Sequence, residues 1–118
     1  MTGNFRMEAH RGVCTSYPEN TIPAFLAAVW EGYDMIELDL KCTKDNVIVV
    51  LHDKTIARTA RTSTGEVPEN CCISELTYTE AAIYDYGLHN GEAFRDTCLP
   101  LFTDILAFAK KESNPPQD

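Results

Sequence analysis

An acidic pair and two histidines are the residues of this chain whose types and spacing best suit chemistry. Glu37 and Asp39 are two residues apart in an alternating strand pattern, which predicts that both carboxylates lie on one face, about 7 Å apart. Two carboxylates at that spacing suit a hard divalent cation, magnesium or calcium. His10 and His52 lie at predicted strand ends, and an imidazole readily gains or loses a proton near neutral pH. The sequence therefore predicts a cation site near two proton-transfer groups.

Each of these features also has a simpler structural interpretation. An acidic pair on a strand is usually a solvated face, and a histidine followed by an aspartate usually marks a capped strand end. Arg11 has Glu19 and Glu37 as candidate ion-pair partners. Asn20 and Thr21 are residue types that cap helices. The functional argument therefore depends on the combination of these motifs and on the elements that position them.

Alternating and helical patterns predict the elements around the candidate residues. A strand at Phe5 to Ala9 precedes a helix that runs from Thr21 to about Glu31 and ends at Gly32. A second strand covers Met35 to Leu40, with Ile36, Leu38 and Leu40 on its apolar face. The predicted inward side chains of the helix are Phe25, Leu26, Ala28, Val29 and Trp30.

A hairpin is predicted to join the second strand to an apolar strand at Val47 to Leu51. The connection, Lys41 to Asn46, is too short for a parallel crossover. A turn centred on Lys44 and Asp45 would set His52 opposite Glu37.

The rest of the chain is predicted to be a surface excursion followed by a helix. Residues 55–70 are polar and rich in turn formers, and Thr77 with Glu80 indicates a capping box for a helix to about Tyr84. We expect one partial domain over residues 1–118, with the excursion at about 55–98 and a tail at 112–118. The last helix, Leu101 to Lys111, is predicted to direct four side chains inward: Leu101, Ile105, Leu106 and Phe108.

Composition excludes several classes of function. The net charge of −8 argues against nucleic-acid binding, which needs a surplus of Lys and Arg. There is no apolar run long enough for a membrane span or a signal peptide, so a cytoplasmic location is expected. The five cysteines lack zinc-type spacing and are expected to be reduced and mostly buried. His89 is interpreted as a surface residue. Lys54, Arg58 and Arg61 are interpreted as a solvated loop face, with contact to an anionic substrate as the alternative.

Four motifs together resemble the glycerophosphodiester phosphodiesterase family: His10-Arg11-Gly12, Pro18-Glu19-Asn20-Thr21, Glu37-x-Asp39 and His52-Asp53. Arg58-Thr59 and Leu99-Pro100-Leu101 are also similar to that family. The resemblance covers about the first half of a typical member. It implies an α/β fold that is the N-terminal portion of a TIM (βα)8 barrel, because 118 residues are too few for the roughly 250 of a closed barrel.

The resemblance implies hydrolysis of a small-molecule glycerophosphodiester to an alcohol and glycerol 3-phosphate, in lipid and glycerol metabolism. The implied metal ligands of magnesium or calcium are Glu37 and Asp39, and the acid/base pair is His10 and His52, with neither role assigned to one histidine. Arg11 is implied to bind the phosphate. Glu19 and Asn20 match the motif that supports the site from the first loop. The family's later strands carry a further acidic ligand and a lysine.

Three other interpretations stay open at this point. One is a related phospholipase-D-like chemistry that makes a cyclic phosphate. Another is a truncated, catalytically inactive fragment that binds a cation or phosphate weakly, or acts as an assembly piece. The third is a cysteine-dependent redox or zinc module. A quarter of a barrel exposes strand edges and apolar faces, here those of Met35 to Leu40 and Val47 to Leu51, so we expect self-association or a complementing chain.

Overall fold

The computed structural model describes residues 8–12, 16–32 and 35–113. Its strands and α-helices are, in chain order, β1 (Glu8–His10), α1 (Ile22–Trp30), β2 (Met35–Glu37), β3 (Leu40–Cys42), β4 (Ile48–Val50), α2 (Tyr78–Ala82) and α3 (Phe102–Ser113). Short 3-10 turns lie between β4 and α3, at Ile73–Glu75, Leu88–Asn90 and Glu92–Phe94.

The first three elements form a β-α-β unit. β1 and β2 are parallel neighbours, with Glu8 opposite Met35 and His10 opposite Glu37. A parallel pair requires a crossover connection, and α1 supplies it. This is the repeating unit from which a βα barrel is built.

Helix α1 begins and ends as predicted, but one of its large side chains does not face inward. Thr21 is at the N-cap position, but its hydroxyl accepts no hydrogen bond from the helix and instead donates to the carbonyl of Pro18 at 2.6 Å. Gly32 follows the helix with φ of 78°, the left-handed conformation of a helix C-terminus. The prediction for Trp30 is wrong: it is 77% exposed, because it lies across the helix from the buried Phe25 and Ala28.

The predicted strand from Met35 to Leu40 is in fact two short strands in two sheets. β2 ends at Glu37, and β3 begins at Leu40. Between them, the backbone N–H of Asp39 donates to a side chain of the first loop, and its carbonyl accepts from Leu51. Asp39 therefore leaves the β1–β2 ladder. Of the predicted apolar face, Leu38 packs in the core, whereas Leu40 is 41% exposed.

The antiparallel hairpin is confirmed, but its register differs from the predicted one by one residue. Leu40 lies opposite Val50, and Thr43 N–H donates to Val47 O at 2.9 Å. The turn has three central residues because Asn46 adopts φ of 63°, a common hairpin geometry. Glu37 belongs to the other sheet, where its backbone lies opposite His10. The predicted position of Glu37 opposite His52 in the hairpin is therefore wrong.

Strand β4 is buried on both faces from Val49 onward, while Ile48 at its start is 46% exposed. Val50 packs with Phe25 and Ile105, while Val49 and Leu51, on the opposite face, enter a second cluster. Besides Val49 and Leu51, that second cluster contains Ile56, Ala60, Ile73, Ala81, Tyr86 and Leu99.

The segment at 55–98 is therefore part of the core rather than a surface excursion. Ile56 and Ala60 are 1% and 0% exposed, although the sequence around them is polar. They are four residues apart in a helical turn, so both face the core. The prediction that the Val47 to Leu51 run leaves its apolar face open is wrong for Val49, Val50 and Leu51. That residues 1–118 form one domain stays a prediction.

The two later helices agree in position with the predicted ones. The capping box of Thr77 and Glu80 is confirmed, and α2 ends at Ala82, two residues before the predicted end. α3 continues to Ser113, into the predicted tail. Ile105 is buried as predicted, but Leu106, on the next face of the helix, is 52% exposed. The side chain of Phe108 lies outside the described residues.

The described cysteines are free thiols, as predicted, but they are not buried. Cys42 and Cys98 are exposed, and Cys71 and Cys72 are partly exposed. Cys14 lies outside the described residues. Exposure follows from their location on the hairpin edge and on connecting segments.

The helices in the described part of the chain are short. The longest is α3, with 12 residues. No helix among these residues has the length and apolar character needed to cross a membrane.

Replacing Ile56 by Ala should destabilise the chain by about 2–5 kcal/mol, because it leaves a cavity in the cluster that covers β4. Ile83→Ala is the matched control, since Ile83 is 72% exposed, and it should change stability by less than about 0.5 kcal/mol. Urea unfolding measures both. Equal effects of the two substitutions would contradict a core formed by residues 55–98.

Candidate functional site

The ends of β1 and β2 carry two of the predicted site residues. His10 and Glu37 are the last residues of these parallel strands, and they lie opposite each other. Their backbones are therefore neighbours at the carboxyl edge, the edge that carries the active site in βα barrels. The Glu37 side chain is exposed, and the side chain of His10 lies outside the described part.

Asn20 holds Asp39 with both ends of its amide. Its Nδ2 donates to Asp39 Oδ2 at 3.1 Å, and the backbone N–H of Asp39 donates to Asn20 Oδ1 at 3.3 Å. Asn20 is 3% exposed and has φ of 53°, a left-handed conformation that asparagine adopts more readily than most residues. Asn20 is therefore a structural contact of the acidic motif, while Thr21 occupies the N-cap position.

Arg11 lies between the acidic groups of two motifs. Its Nη1 is 3.4 Å from each carboxylate oxygen of Glu19, and its Nε is 3.6 Å from Asp39 Oδ2. The ion-pair alternative for Arg11 is thus confirmed with Glu19, and Asp39 is a second partner. These contacts are longer than good charge-assisted hydrogen bonds, and Nε is a buried donor with no hydrogen-bond partner among the described residues.

Gly12 allows this first loop to lie directly against α1. Its φ is 80°, and a Cβ added to it would be 2.7 Å from the Cβ of Ala24. No larger residue fits there without displacing the helix. The glycine thus fixes Arg11 close to the start of α1.

His52 follows β4 and is oriented by the residue after it. Its Nδ1 is 2.8 Å from Asp53 Oδ1, so with an ionised aspartate the imidazole donates from Nδ1. Nε2 is then the nitrogen available to accept or release a proton. Arg58 in turn donates to Asp53 from Nε at 2.8 Å and from Nη2 at 3.1 Å.

Arg58 also reaches the first loop. Its Nη1 and Nη2 donate to the two oxygens of Glu19 at 2.8 and 2.7 Å. One guanidinium therefore binds a carboxylate before α1 and another after β4, in the two-bond geometry typical of arginine. Arg58 is at the surface, as predicted, with its side chain 49% exposed, but it is paired with these two carboxylates rather than freely solvated.

These contacts shift the ionisation of both carboxylates. The Arg58 hydrogen bonds, with a further one from His52, lower the pKa of Asp53 to about 2 against the opposing effect of burial. For Glu19, burial alone would raise the pKa, but Arg58 and the charge of Arg11 outweigh it and lower the pKa. The two carboxylates together raise the pKa of Arg58, with Glu19 contributing most. All three groups are therefore charged at neutral pH.

Residues of two of the four motifs border one small cavity. Its volume is about 10 Å³, which is room for about one water molecule, and its polar lining includes Glu19, Asn20 and His52. The buried Val50 and Leu51 form part of its apolar wall. The first loop and the end of β4 therefore meet at one place.

His89 is not the surface residue that its glycine-flanked sequence suggests. Burial, reinforced by the charge of Arg61, lowers the pKa of His89. Its Nε2 is buried and lacks a hydrogen-bond partner within the described ranges. Arg61 is also structural, because its Nη1 donates to the carbonyls of Ala57 and Ala60 at 2.9 and 2.7 Å.

The acidic residues fit a hard cation in type, although no complete ligand set is present among the described residues. Within residues 8–12, 16–32 and 35–113, no group of three or more His, Cys, Asp or Glu is arranged to hold a metal. Glu37 and Asp39 supply carboxylate oxygens at the carboxyl edge of the sheet, which is the donor type that magnesium and calcium prefer. Asp39 is already oriented by Asn20.

The structure thus connects most of the predicted site residues, through a residue that sequence reasoning undervalued. Asn20, Arg11 and Glu19 contact the acidic motif or one another, and Arg58 links them to Asp53 and His52. The sequence signal for Arg58 was the similarity of the Arg58-Thr59 pair to the family. In the structure, Thr59 is 6% exposed.

Comparisons of the sequence with a family model and with known proteins agree on one protein family. Residues 10–116 match the sequence model of the Glycerophosphoryl diester phosphodiesterase family. A glycerophosphodiester phosphodiesterase of Caldanaerobacter subterraneus subsp. tengcongensis is 39% identical over 98 residues, which are 83% of this chain and 37% of the relative. Another, from Bacillus altitudinis, is 33% identical over 106 residues, 90% of this chain and 40% of the relative.

Solved structures agree with the sequence comparison. The crystal structure of a glycerophosphodiester phosphodiesterase from Agrobacterium tumefaciens is similar with a TM-score of 0.81 and 27% identity. The similarity covers 91% of this chain and 43% of that structure. The chain therefore has the fold of the N-terminal portion of a TIM-barrel phosphodiesterase, as predicted, and spans about 40% of the length of these relatives.

Replacing Asn20 by Ala should destabilise the chain more than replacing it by Gly, by about 1 kcal/mol. Both changes remove the amide that holds Asp39, but only Ala also carries a Cβ at φ of 53°. Urea unfolding of the two variants gives the difference. Equal stabilities would show that the left-handed conformation at this position is not maintained.

Acid should destabilise the chain through Asp53. Its folded pKa of about 2 is below the ordinary value of 3.8, so its stabilisation is complete above pH 3.8 and is lost as the pH falls through about 2. The urea midpoint of Asp53→Asn should therefore fall less steeply between about pH 5 and pH 2 than that of the wild type. Parallel curves would contradict the ion pair with Arg58.

Proposed function

Because the chain belongs to the glycerophosphoryl diester phosphodiesterase family, we propose that it carries one part of an active site that hydrolyses glycerophosphodiesters. The products are an alcohol and glycerol 3-phosphate, and the reaction is assisted by magnesium or calcium. The chain spans about 40% of its relatives' length, so the proposal concerns the residues of this portion.

One observation carries the proposal: a continuous chain of polar contacts joins the motifs. Asn20 holds Asp39, and Arg11 lies between Asp39 and Glu19. From Glu19 the contacts continue to Arg58, Asp53 and His52. Motifs with independent structural roles have no need of such a connection.

Glu37 and Asp39 are the residues proposed to hold the cation. When bound, the ion supplies positive charge that offsets the charge of the phosphoryl oxygens. This also overcomes the chain's net charge of −8, which opposes an anionic substrate. The support comes from the orientation of Asp39 by Asn20 and from the position of Glu37 at the carboxyl edge of the sheet.

Arg11 is the proposed phosphate contact, with Glu19 and Asn20 supporting it. Its ion-pair contacts are long, and its buried Nε has no hydrogen-bond partner among the described residues, so a phosphate oxygen would satisfy these donors better. Phosphate binding would thus replace weak contacts rather than strong ones.

His10 and His52 are the proposed acid/base pair. One accepts the proton of the attacking water, and the other donates a proton to the leaving alkoxide. For His52 the exchanging atom is Nε2, since Nδ1 donates to Asp53. For His10 the support is its register opposite Glu37.

Self-association, or a complementing chain, stays a prediction. The exposed apolar side chains that such a contact would cover include Trp30, Leu40, Ile48 and Leu106, which are 77%, 41%, 46% and 52% exposed. A cytoplasmic location and a part in lipid and glycerol metabolism are likewise predictions.

The experiment is calorimetry with magnesium and with calcium, combined with release of glycerol 3-phosphate from glycerophosphocholine. Asp39→Asn and Glu37→Gln should each weaken cation binding by about tenfold or more, because each removes a charged ligand. Glu69→Gln is the control, since Glu69 is an exposed acid outside the proposed site. It should behave as the wild type.

Each alternative outcome has a distinct meaning. Equal cation affinity in the wild type and both site variants would contradict the metal role and favour a solvated strand face. Cation binding without hydrolysis, in the presence or absence of a fragment carrying the later barrel strands, would favour the inactive fragment that binds a cation weakly.

A further inference from the structure

Arg58 joins two carboxylates that come from distant parts of the chain. Four of its N–H groups are used: two bind Glu19 at 2.8 and 2.7 Å, and two bind Asp53 at 2.8 and 3.1 Å. The Glu19 side chain is only 12% exposed, and the Asp53 side chain is 27% exposed. Removing carboxylates from water costs free energy that a partner of opposite charge offsets, and the more buried Glu19 needs it most.

Without Arg58 the negative charges of Glu19 and Asp53 would repel each other. The charge of Asp53 raises the pKa of Glu19, which is the signature of repulsion between them. A guanidinium offers a flat, rigid set of donors that can bind two carboxylates at once, whereas a lysine ammonium is a single point of charge. Arg58 therefore fixes the distance between the first loop and the end of β4.

The same bridge determines the orientation of His52. Asp53 Oδ1 accepts from both Arg58 Nη2 and His52 Nδ1, while Asp53 Oδ2 accepts from Arg58 Nε. With both oxygens held, the carboxylate cannot rotate away from the imidazole. His52 is thereby kept with its proton on Nδ1 and its lone pair on Nε2.

We propose that Arg58 is a positioning residue, which fixes the Nδ1–H tautomer of His52 beside the cavity that His52 shares with Glu19. Its contribution to hydrolysis rests on the function proposed above. Its effect on the imidazole does not, because it follows from the Asp53 contact alone.

Nitrogen NMR of the histidine side chains tests the structural part. The chain has three histidines, and the signals that are lost in His52→Gln are those of His52. At about pH 8 the wild type should show a protonated Nδ1 and an unprotonated Nε2 for His52. Arg58→Ala and Arg58→Lys should shift these signals toward a mixture of tautomers, because Asp53 is then free to turn.

Arg95→Lys is the matched control. Arg95 is also a partly exposed arginine that binds a nearby carboxylate, with Nη2 at 3.2 Å from Glu92 Oε2, and it donates to the carbonyl of Ser63 at 2.9 Å. It lies outside the contacts that join the motifs. The His52 signals of Arg95→Lys should match those of the wild type.

Kinetics with glycerophosphocholine test the functional part. Arg58→Ala should lower kcat by about 10- to 100-fold with KM changed by less than about twofold, since a misplaced proton-transfer group slows the reaction without removing a binding contact. Arg58→Lys should recover little of this loss. Full recovery by lysine would overturn the proposal, because charge alone would then suffice.

The two kinds of failure are distinguishable. A wild-type chain that shows no hydrolysis even with a fragment carrying the later barrel strands contradicts the proposed function, and the imidazole spectra still decide the role of Arg58. A protonated Nε2 in the wild type overturns the positioning role even where an Arg58 variant fails to fold. Wild-type signals in a folded Arg58→Ala, shown by its thermal transition, overturn it as well.

Discussion

Burial of β4 on both faces is the constraint on which the rest of this structure depends. Val50 packs toward α1 and α3, and Val49 and Leu51 pack into the cluster formed by residues 55–98. A strand buried on both sides must satisfy its backbone groups through neighbours. Val50 N–H donates to Pro100 O, and Leu51 N–H donates to Asp39 O, at 3.0 and 2.9 Å.

The candidate site inherits its geometry from that strand. The hydrogen bond from Leu51 N–H to Asp39 O lies just after β4, at the residue before His52. It therefore also holds the backbone of Asp39 next to the end of this strand. The segment that covers β4 then returns to the first loop at two places. Arg58 binds Glu19, and the ring of Phe94 packs edge-on against Tyr17 with 5.6 Å between centroids. The same segment therefore completes the core and fixes the first loop against the end of β4.

Local patterns were sufficient to predict the β-α-β unit, the hairpin and the capping box, because each is determined by spacing within a few residues. The register of the hairpin was missed by one residue, since it depends on Asn46 adopting a left-handed conformation. The break at Asp39 was missed because its cause is a contact with Asn20, nineteen positions earlier. The burial of Ile56 and Ala60, and the role of Arg58, were missed for the same reason: both depend on partners far away in the sequence.

Amide hydrogen exchange at Val50 and Leu51 tests the central claim most directly. These amides donate to the carbonyls of Pro100 and Asp39 at the end of β4, where the chain is covered on both sides. The protection free energy of each should approach the global free energy of unfolding measured in urea, because only complete unfolding exposes such a strand. Exchange at rates typical of an open loop would show that residues 55–98 do not cover β4, and the account of the site would lose its foundation.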